Sequence, residues 1–265
     1  MASYNHVFLY GQVMQNPNIT INEDTNEPER AFAVIKVIHG TRDTGTGESS
    51  IQYACPLVMT SDPDRIKEIQ EWEQGDMVEI KGTFCNKNIQ KASFCPSCHA
   101  KNLVKGTLMY IHPIYTRIRE KQVADDKALA LLIRSREISN CMTTIGELCR
   151  DPFKVENDKG YNIVQFPIAI DRHHFVKGDD PSDKTDYPFV KSFGRIAVDA
   201  YQNLSSGSMI YLDGFIQTRT VTRHTICEEC KEEYEWNDSA MEIVPYAIEY
   251  LRNYGPSAED TCVDS

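Results

Sequence analysis

Residues 207–236 read GSMIYLDGFIQTRTVTRHTICEECKEEYEW. The stretch opens as a strand over 209–212, passes Gly214, continues as a Thr-rich basic arm over 217–223 and ends in Cys227-Glu-Glu-Cys230. Residues 75–104, GDMVEIKGTFCNKNIQKASFCPSCHAKNLV, have the same layout. A shift of 132 carries Gly75 to Gly207, Gly82 to Gly214, Lys87 to Arg219, Lys91 to Arg223, Cys95 to Cys227 and Cys98 to Cys230 without a gap. The register holds on to Met109/Met241, Ile111/Ile243 and Pro113/Pro245. A second pair of segments, NHVFLYGQVMQNP from Asn5 and NCMTTIGELCRDP from Asn140, aligns at a shift of 135. An internal repeat of this kind constrains the fold before any single element does.

The 265 residues therefore divide into two units of roughly 110–120, an ordinary domain size. A hydrophobic share of 41% with 25% charged residues fits a globular chain. No apolar run is long enough to span a bilayer, and MASYNHVFLYG has no signal-peptide layout, so the expectation is a cytoplasmic protein without membrane attachment. Nine cysteines, four of them in two C-x-x-C pairs, favour a metal over disulfides in that compartment. The formal net charge of −11 argues against a chain coated in nucleic acid, although a global sum leaves room for a local basic groove.

Each repeat reads strand, strand, strand, helix, strand, long hairpin, strand. The helices are expected at 62–73 and 194–204, where apolar residues recur at helical spacing and a glycine follows. The returning third strands are expected at 51–59 and 187–193, and the last strands at 108–114 and 241–248. That order is the five-stranded Greek-key barrel of the oligonucleotide/oligosaccharide-binding (OB) fold, with its helix between strands three and four. The expected fold is mainly all-β: two tandem barrels, each with a long strand 4–5 hairpin carrying a zinc knuckle. The first covers 1–118 and the second 139–252; a linker helix spans 119–138 with Ala128, Leu131 and Leu132 on its apolar face, and 253–265 form a flexible acidic tail.

Structural zinc takes four Cys or His ligands in a tetrahedron. No third ligand type occurs in both repeats: Cys85 maps to Gln217, His99 to Lys231 and His224 to Ala92. Two half-sites could combine into one four-cysteine zinc site of Cys95, Cys98, Cys227 and Cys230. The alternative is one site per repeat, with Cys85 and His99 completing the first and His224 joining the second. Cys55, Cys141, Cys149 and Cys262 have no partner spacing.

With these elements in place, SFGRIAVDAYQNLSSGSMIYLDGFIQTR (192–219) resembles the bacterial single-stranded DNA-binding proteins. Phe-Gly-Arg before the helix, Ser-Gly-Ser before strand four, Gly-x-Ile-Gln-Thr-Arg after it, NHVFLYG from Asn5 and Asp151-Pro152 carry the resemblance. Two features depart from that family. Its strand 4–5 hairpin has no C-x-x-C, and its acidic tip ends in Pro-Phe where this chain ends DTCVDS. The resemblance implies single-stranded DNA binding with little sequence preference, in replication, recombination or mobile-element transfer, within a bacterial cell, phage or mobile element. It also implies a homodimer giving four barrels, and replication or recombination proteins as partners; RNA is an open alternative to DNA.

Candidate contacts follow from what a single strand needs, cations along its backbone and rings against its bases. Lys87 and Lys91, matched by Arg219 and Arg223, sit four apart and share a strand face. Phe175, Tyr187, Phe189 and Phe193 lie on or beside strands two and three of the second repeat, with Arg172 at a strand end and Trp236 after the knuckle. Each has a plainer reading: a solvated cation, a core ring, or for Trp236 a cover for the metal. Cys55 and Met59 stand opposite Phe189 and Phe193, so the second repeat is expected to carry more of the affinity. The sequence shows no phosphate loop, zinc-protease helix or nucleophile elbow, and the reading is not an enzyme. A protein–protein adaptor built on the barrels and knuckles is the alternative function.

Overall fold

The repeat persists as geometry in a computed structural model of the chain, which describes residues 4–39, 51–156, 160, 162–172, 174, 176 and 184–253. The first repeat comprises β1 (Tyr4–Val13), β2 (Asn18–Ile21), β3 (Pro28–His39), β4 (Gln52–Ala54), β5 (Leu57–Thr60), α1 (Pro63–Gln70), β6 (Met77–Phe94) and β7 (Lys101–Glu120). Two short helices follow, α2 (Asp125–Arg134) and α3 (Arg136–Ser139). The second repeat comprises β8 (Asn140–Leu148), β9 (Phe153–Lys154), β10 (Ile163–Asp171), β11 (Thr185–Asp186), β12 (Phe189–Phe193), α4 (Gly194–Asn203), β13 (Met209–Ile226) and β14 (Glu233–Arg252). The acidic tail from 254 onward lies outside the described residues.

Each repeat closes into a barrel. β1, β6, β7, β5 and β3 pair in a ring, as do β8, β13, β14, β12 and β10. Period-two alternation drives this closure: along β10, Val164, Phe166, Ile168 and Ile170 are buried, and along β6 Val78 and Ile80 point into the first barrel. Bending is localised at glycines. Gly82 and Gly214 sit at register shifts of β6 and β13. A Cβ at Gly82 would lie 2.4 Å from the His112 carbonyl oxygen, and one at Gly214 would lie 2.1 Å from that of Val244. Beside each bulge an asparagine amide pairs with a backbone residue both ways, Asn5 with Phe84 and Asn140 with Ile216, at 2.8–3.0 Å.

The two barrels are joined through their first strands. β1 and β8 run antiparallel, and Val7 pairs with Met142, its own equivalent at the shift of 135. A pseudo-two-fold axis therefore passes through that pair, and both side chains are fully buried. Contacts between β6 and the second barrel, and between β13 and the first, repeat across the axis. Asn86 Oδ1 accepts the Tyr187 N–H at 2.6 Å, and Thr218 Oγ1 accepts the Cys55 N–H at 2.8 Å. Asn86 and Thr218 are themselves 132 apart.

Three elements differ from the sequence expectation. The third strands are broken: β4 ends before Cys55-Pro56 and β11 before Tyr187-Pro188. Proline removes a ladder donor, and the freed N–H groups of Cys55 and Tyr187 are the ones capped from the other barrel. The last strands are long, because β7 and β14 pair with β6 and β13 along their whole length. β7 consequently runs to Glu120, and the expected linker helix begins only at Asp125 and divides at Ser135. Ala128 and Leu132 of α2 pack on the first barrel with Tyr10, Ile38 and Met77.

His39 tests the joint between barrels by pH. It ends β3, stacks on Phe215 of the second barrel at 4.2 Å, and has a buried Nδ1 with no hydrogen-bond partner among the described residues. Burial lowers its pKa from 6.5 to about 4. Below pH 6.5 the unfolded chain then binds a proton that the folded chain refuses, so stability present above 6.5 is lost as the pH falls toward 4. Thermal melts between pH 7 and pH 4 are expected to show this fall for the native chain and a shallower one for His39→Phe; identical slopes would exclude His39 as the cause.

Candidate metal centre and nucleic-acid surface

The β6–β7 and β13–β14 hairpins extend beyond the barrels and pack against each other near their tips. On the first, Lys91 pairs with Val104 and Ser93 with Asn102; on the second, Thr225 pairs with Tyr234 and Val221 with Asp238. These faces meet. Ser93 and Tyr234 share a hydroxyl hydrogen bond of 2.7 Å, Asn102 Oδ1 accepts the Glu228 N–H at 2.9 Å, and Lys91 Nζ lies 2.6 Å from Asp238.

That packing brings all four knuckle cysteines together. The Sγ atoms of Cys95, Cys98, Cys227 and Cys230 lie within 4.8 Å of one another. Cys95 is 3.6 Å from Cys230, and Cys98 is 3.5 Å from Cys227. A disulfide needs about 2.05 Å. Four sulfurs around a zinc at about 2.3 Å stand roughly 3.8 Å apart in a tetrahedron. The donor set and its spacing therefore fit a metal ion better than a bond. Electrostatics agrees. N–H groups of Cys230 and Glu229, with the Asn102 amide, lower the Cys227 thiol to about 6. The Glu232 N–H acts to lower Cys230 as well, but desolvation and three neighbouring sulfurs outweigh it and push that thiol up to about 12. Ionising all four at this spacing would need a cation among them. Buried Cys95, Cys227 and Tyr234, with Ala100 and Trp236, form an apolar shell at the cluster. The alternative ligands stand elsewhere. Cys85 packs with Met59, Tyr110 and Val176, and His224 faces Glu233 and Glu235. Neither these nor His99 belongs to the cluster.

The basic stripe read from the sequence is largely ion-paired, although Arg219 and Arg223 keep 37% and 56% of their side chains exposed. Lys91 and Arg223 both approach Asp238, at 2.6 and 3.5 Å, and Arg219 grips Glu242 at 2.8 Å; Lys87 shares their face and is half-buried. Arg172 is tied to Asp186 at 2.5 Å with both side chains buried, and donates to the Asn86 carbonyl at 3.2 Å. Trp236 pairs with Arg223 across the hairpin, and its indole N–H is buried without a partner among the described residues. Phe175 lies outside the described residues.

The rings of the second repeat face outward. Phe153, Gln165 and Lys191 stand side by side across β9, β10 and β12, flanked on β12 by Phe189 and Phe193. The alternate residues Val164, Phe166, Val190 and Ser192 are buried. Cations accompany the rings. The Arg150 guanidinium lies 5.3 Å from the Phe153 ring and 5.5 Å from that of Phe189. Lys191 lies 5.9 Å from Phe193, and Lys154 lies 4.6 Å from Tyr201. Tyr187 is the most exposed of the expected rings, at 53%. Arg150, Phe153, Lys154, Lys191 and Tyr201 were missed in the sequence because the pairing of β9 with β10 is not a local signal. In the first repeat Met59 is buried, and Lys36 lies over Tyr53 at 4.5 Å.

Charge divides sharply between the hairpins. Residues 80–119 hold seven Lys and Arg and no Asp or Glu, whereas 212–251 hold three Lys and Arg and nine Asp and Glu. The net charge of −11 conceals this division.

Residues 139–241 match the model of the single-strand binding protein family. A single-stranded DNA-binding protein of Thermotoga maritima is 31% identical over 80 residues, 30% of this chain and 57% of that protein. Single-stranded DNA-binding protein 1 of Chlorobaculum tepidum is 27% identical over 81 residues, 31% of this chain and 50% of that protein. The chain thus spans about half the length of the curated relatives it matches. A crystal structure of a deletion mutant of the single-stranded DNA-binding protein from Thermus aquaticus superposes with a TM-score of 0.64 over 97% of this chain and 98% of the other, at 14% identity. The resemblance to bacterial-type single-stranded DNA-binding proteins therefore holds for the second repeat in sequence, and the tandem-barrel fold holds over nearly the whole chain.

Asp238 is the hinge of the inward charges. Its side chain is 10% exposed and Lys91 beside it 13%. Asp238→Asn leaves Lys91 without its counter-charge and is expected to cost about 1–3 kcal/mol. Hydrogen exchange should quicken along both hairpins and not in the barrels; unchanged exchange would show that the pair adds nothing to hairpin packing.

Proposed function

We propose that this chain binds single-stranded DNA with little sequence preference, using the outer face of the second barrel. The row of Phe153, Phe189 and Phe193 interleaved with Arg150 and Lys191, within the segment that matches the family model, carries this reading. Rings stack on bases whatever their identity, and cations follow the phosphates. Tyr187 extends the row. Lys91 and Arg172, buried against Asp238 and Asp186, act by holding the hairpins and barrels in place, while Arg219 shares Glu242 with Lys191 beside the row and keeps 37% of its side chain exposed. The service is coating or ordering of single strands in replication, recombination or mobile-element transfer, in the cytoplasm.

Cys95, Cys98, Cys227 and Cys230 hold one zinc ion between the repeats in this reading. Four protein thiolates complete the tetrahedron and leave no open position for a substrate, which makes the metal structural. The ion offsets the thiolate repulsion and ties the two hairpin tips together.

Titration with oligo-dT, followed by anisotropy of the labelled strand, tests the first reading. Tight, salt-weakened binding is expected, with duplex DNA a poor competitor. Phe189→Ala and Phe193→Ala should each weaken binding by about tenfold, the weight of one stacked base. Equal affinity for duplex would overturn the reading, and preference for oligo-U would move it to RNA.

Metal removal tests the second. A strong chelator is expected to shift the fluorescence of Trp236, which packs against the cluster, and to speed exchange at the hairpin tips. Trp72, buried under the first barrel's helix, serves as the internal control, so a Trp72→Phe background isolates the signal. No change at Trp236 or the tips would exclude a metal there.

A further inference from the structure

The hairpins meet through one face each, so their other faces point away from one another. On the first hairpin the outward pairs are Gln90/Lys105, Ala92/Leu103 and Phe94/Lys101. On the second they are Thr222/Asn237, His224/Glu235 and Ile226/Glu233. All twelve residues are exposed. Phe94 and Ile226 are equivalents at the shift of 132, and they expose 64% and 63% of their surface. Lys101 and Glu233 are likewise equivalents. The repeat thus keeps a large apolar residue at the same outward position and inverts the charge paired with it.

An acidic surface repels phosphates. It suits a basic partner carrying an apolar residue, and this chain itself presents one. We propose that copies of this protein associate head to tail, the outward face of the first hairpin docking on that of the second hairpin of another copy. Lys101 and Lys105 then face Glu233 and Glu235, and Phe94 and Leu103 meet Ile226. Both faces lie on opposite sides of one stack, so the contact is heterologous and builds an open chain or ring rather than a two-fold pair. On a bound strand it would set neighbouring copies side by side. The inference needs no nucleic acid and stands apart from the proposed function.

Reciprocal charge swaps test it in the full, metal-replete chain by sedimentation velocity without DNA. Wild type is expected to form species that grow with protein concentration and dissolve with salt. The variants Lys101→Glu/Lys105→Glu and Glu233→Lys/Glu235→Lys should each lose them at least tenfold, since each then presents two faces of like charge. Mixing the two variants should restore association, because each supplies the face the other needs. Circular dichroism and oligo-dT affinity report whether the variants fold. A wild type that stays at one size, variants that associate as wild type does, or a mixture that fails to recover would each overturn the proposal. Loss of oligo-dT binding in Lys101→Glu/Lys105→Glu with association unchanged would also overturn it, and would assign that face to the strand instead.

Discussion

Antiparallel pairing of β1 with β8 is the constraint on which the rest depends. It sets Val7 against Met142 and puts a pseudo-two-fold axis through two fully buried side chains. Once that axis exists, every contact made by one repeat is offered to the other. The hairpins are long enough to outreach the barrels, so the axis lays them face to face, and four cysteines distant in sequence become one cluster. The two barrels also brace each other lower down, where Asn86 and Thr218 cap strands interrupted by prolines. A single frame results, with the four-cysteine cluster at one end.

Within that frame the symmetry of the backbone is not matched by the chemistry of the side chains. Asp238 and Glu242 belong to the second hairpin, and their equivalents in the first are Gly106 and Tyr110. The second hairpin therefore supplies the anions that hold basic residues of both. Aromatic rings are concentrated on the second barrel's outer face, and basic residues on the first hairpin. The two repeats thus share a backbone and divide the side-chain chemistry, with a row of rings on one barrel face and an uneven charge on the two hairpins.

Much of this was legible in the sequence. The unbroken shift of 132 across the hairpins, the paired knuckles and the glycines at 82 and 214 all report local geometry, and local geometry is what sequence spacing encodes. Ligand counting favoured the meeting of Cys95 and Cys98 with Cys227 and Cys230 but left one site per repeat open, and the packing of the hairpins is what brings the four together. The direction of the basic stripe was not legible. Spacing puts Lys87 with Lys91 and Arg219 with Arg223 on one face, but which face meets the other hairpin is decided by the axis. The outward row with Phe153 and Arg150 escaped for a similar reason, because the pairing of β9 with β10 is set by the barrel and not by residue spacing. The charge division between hairpins was readable all along and was averaged away in the net charge.

In the reading proposed above, the two repeats act as one frame tied by one shared ion. Native mass spectrometry of the intact chain measures this most directly, because it counts both the metal and the protons displaced. One zinc ion per chain, lost on replacing either Cys98 or Cys230 by serine, is the predicted result. Two ions per chain, or one that survives both replacements, would contradict the shared site and leave each repeat to stand on its own.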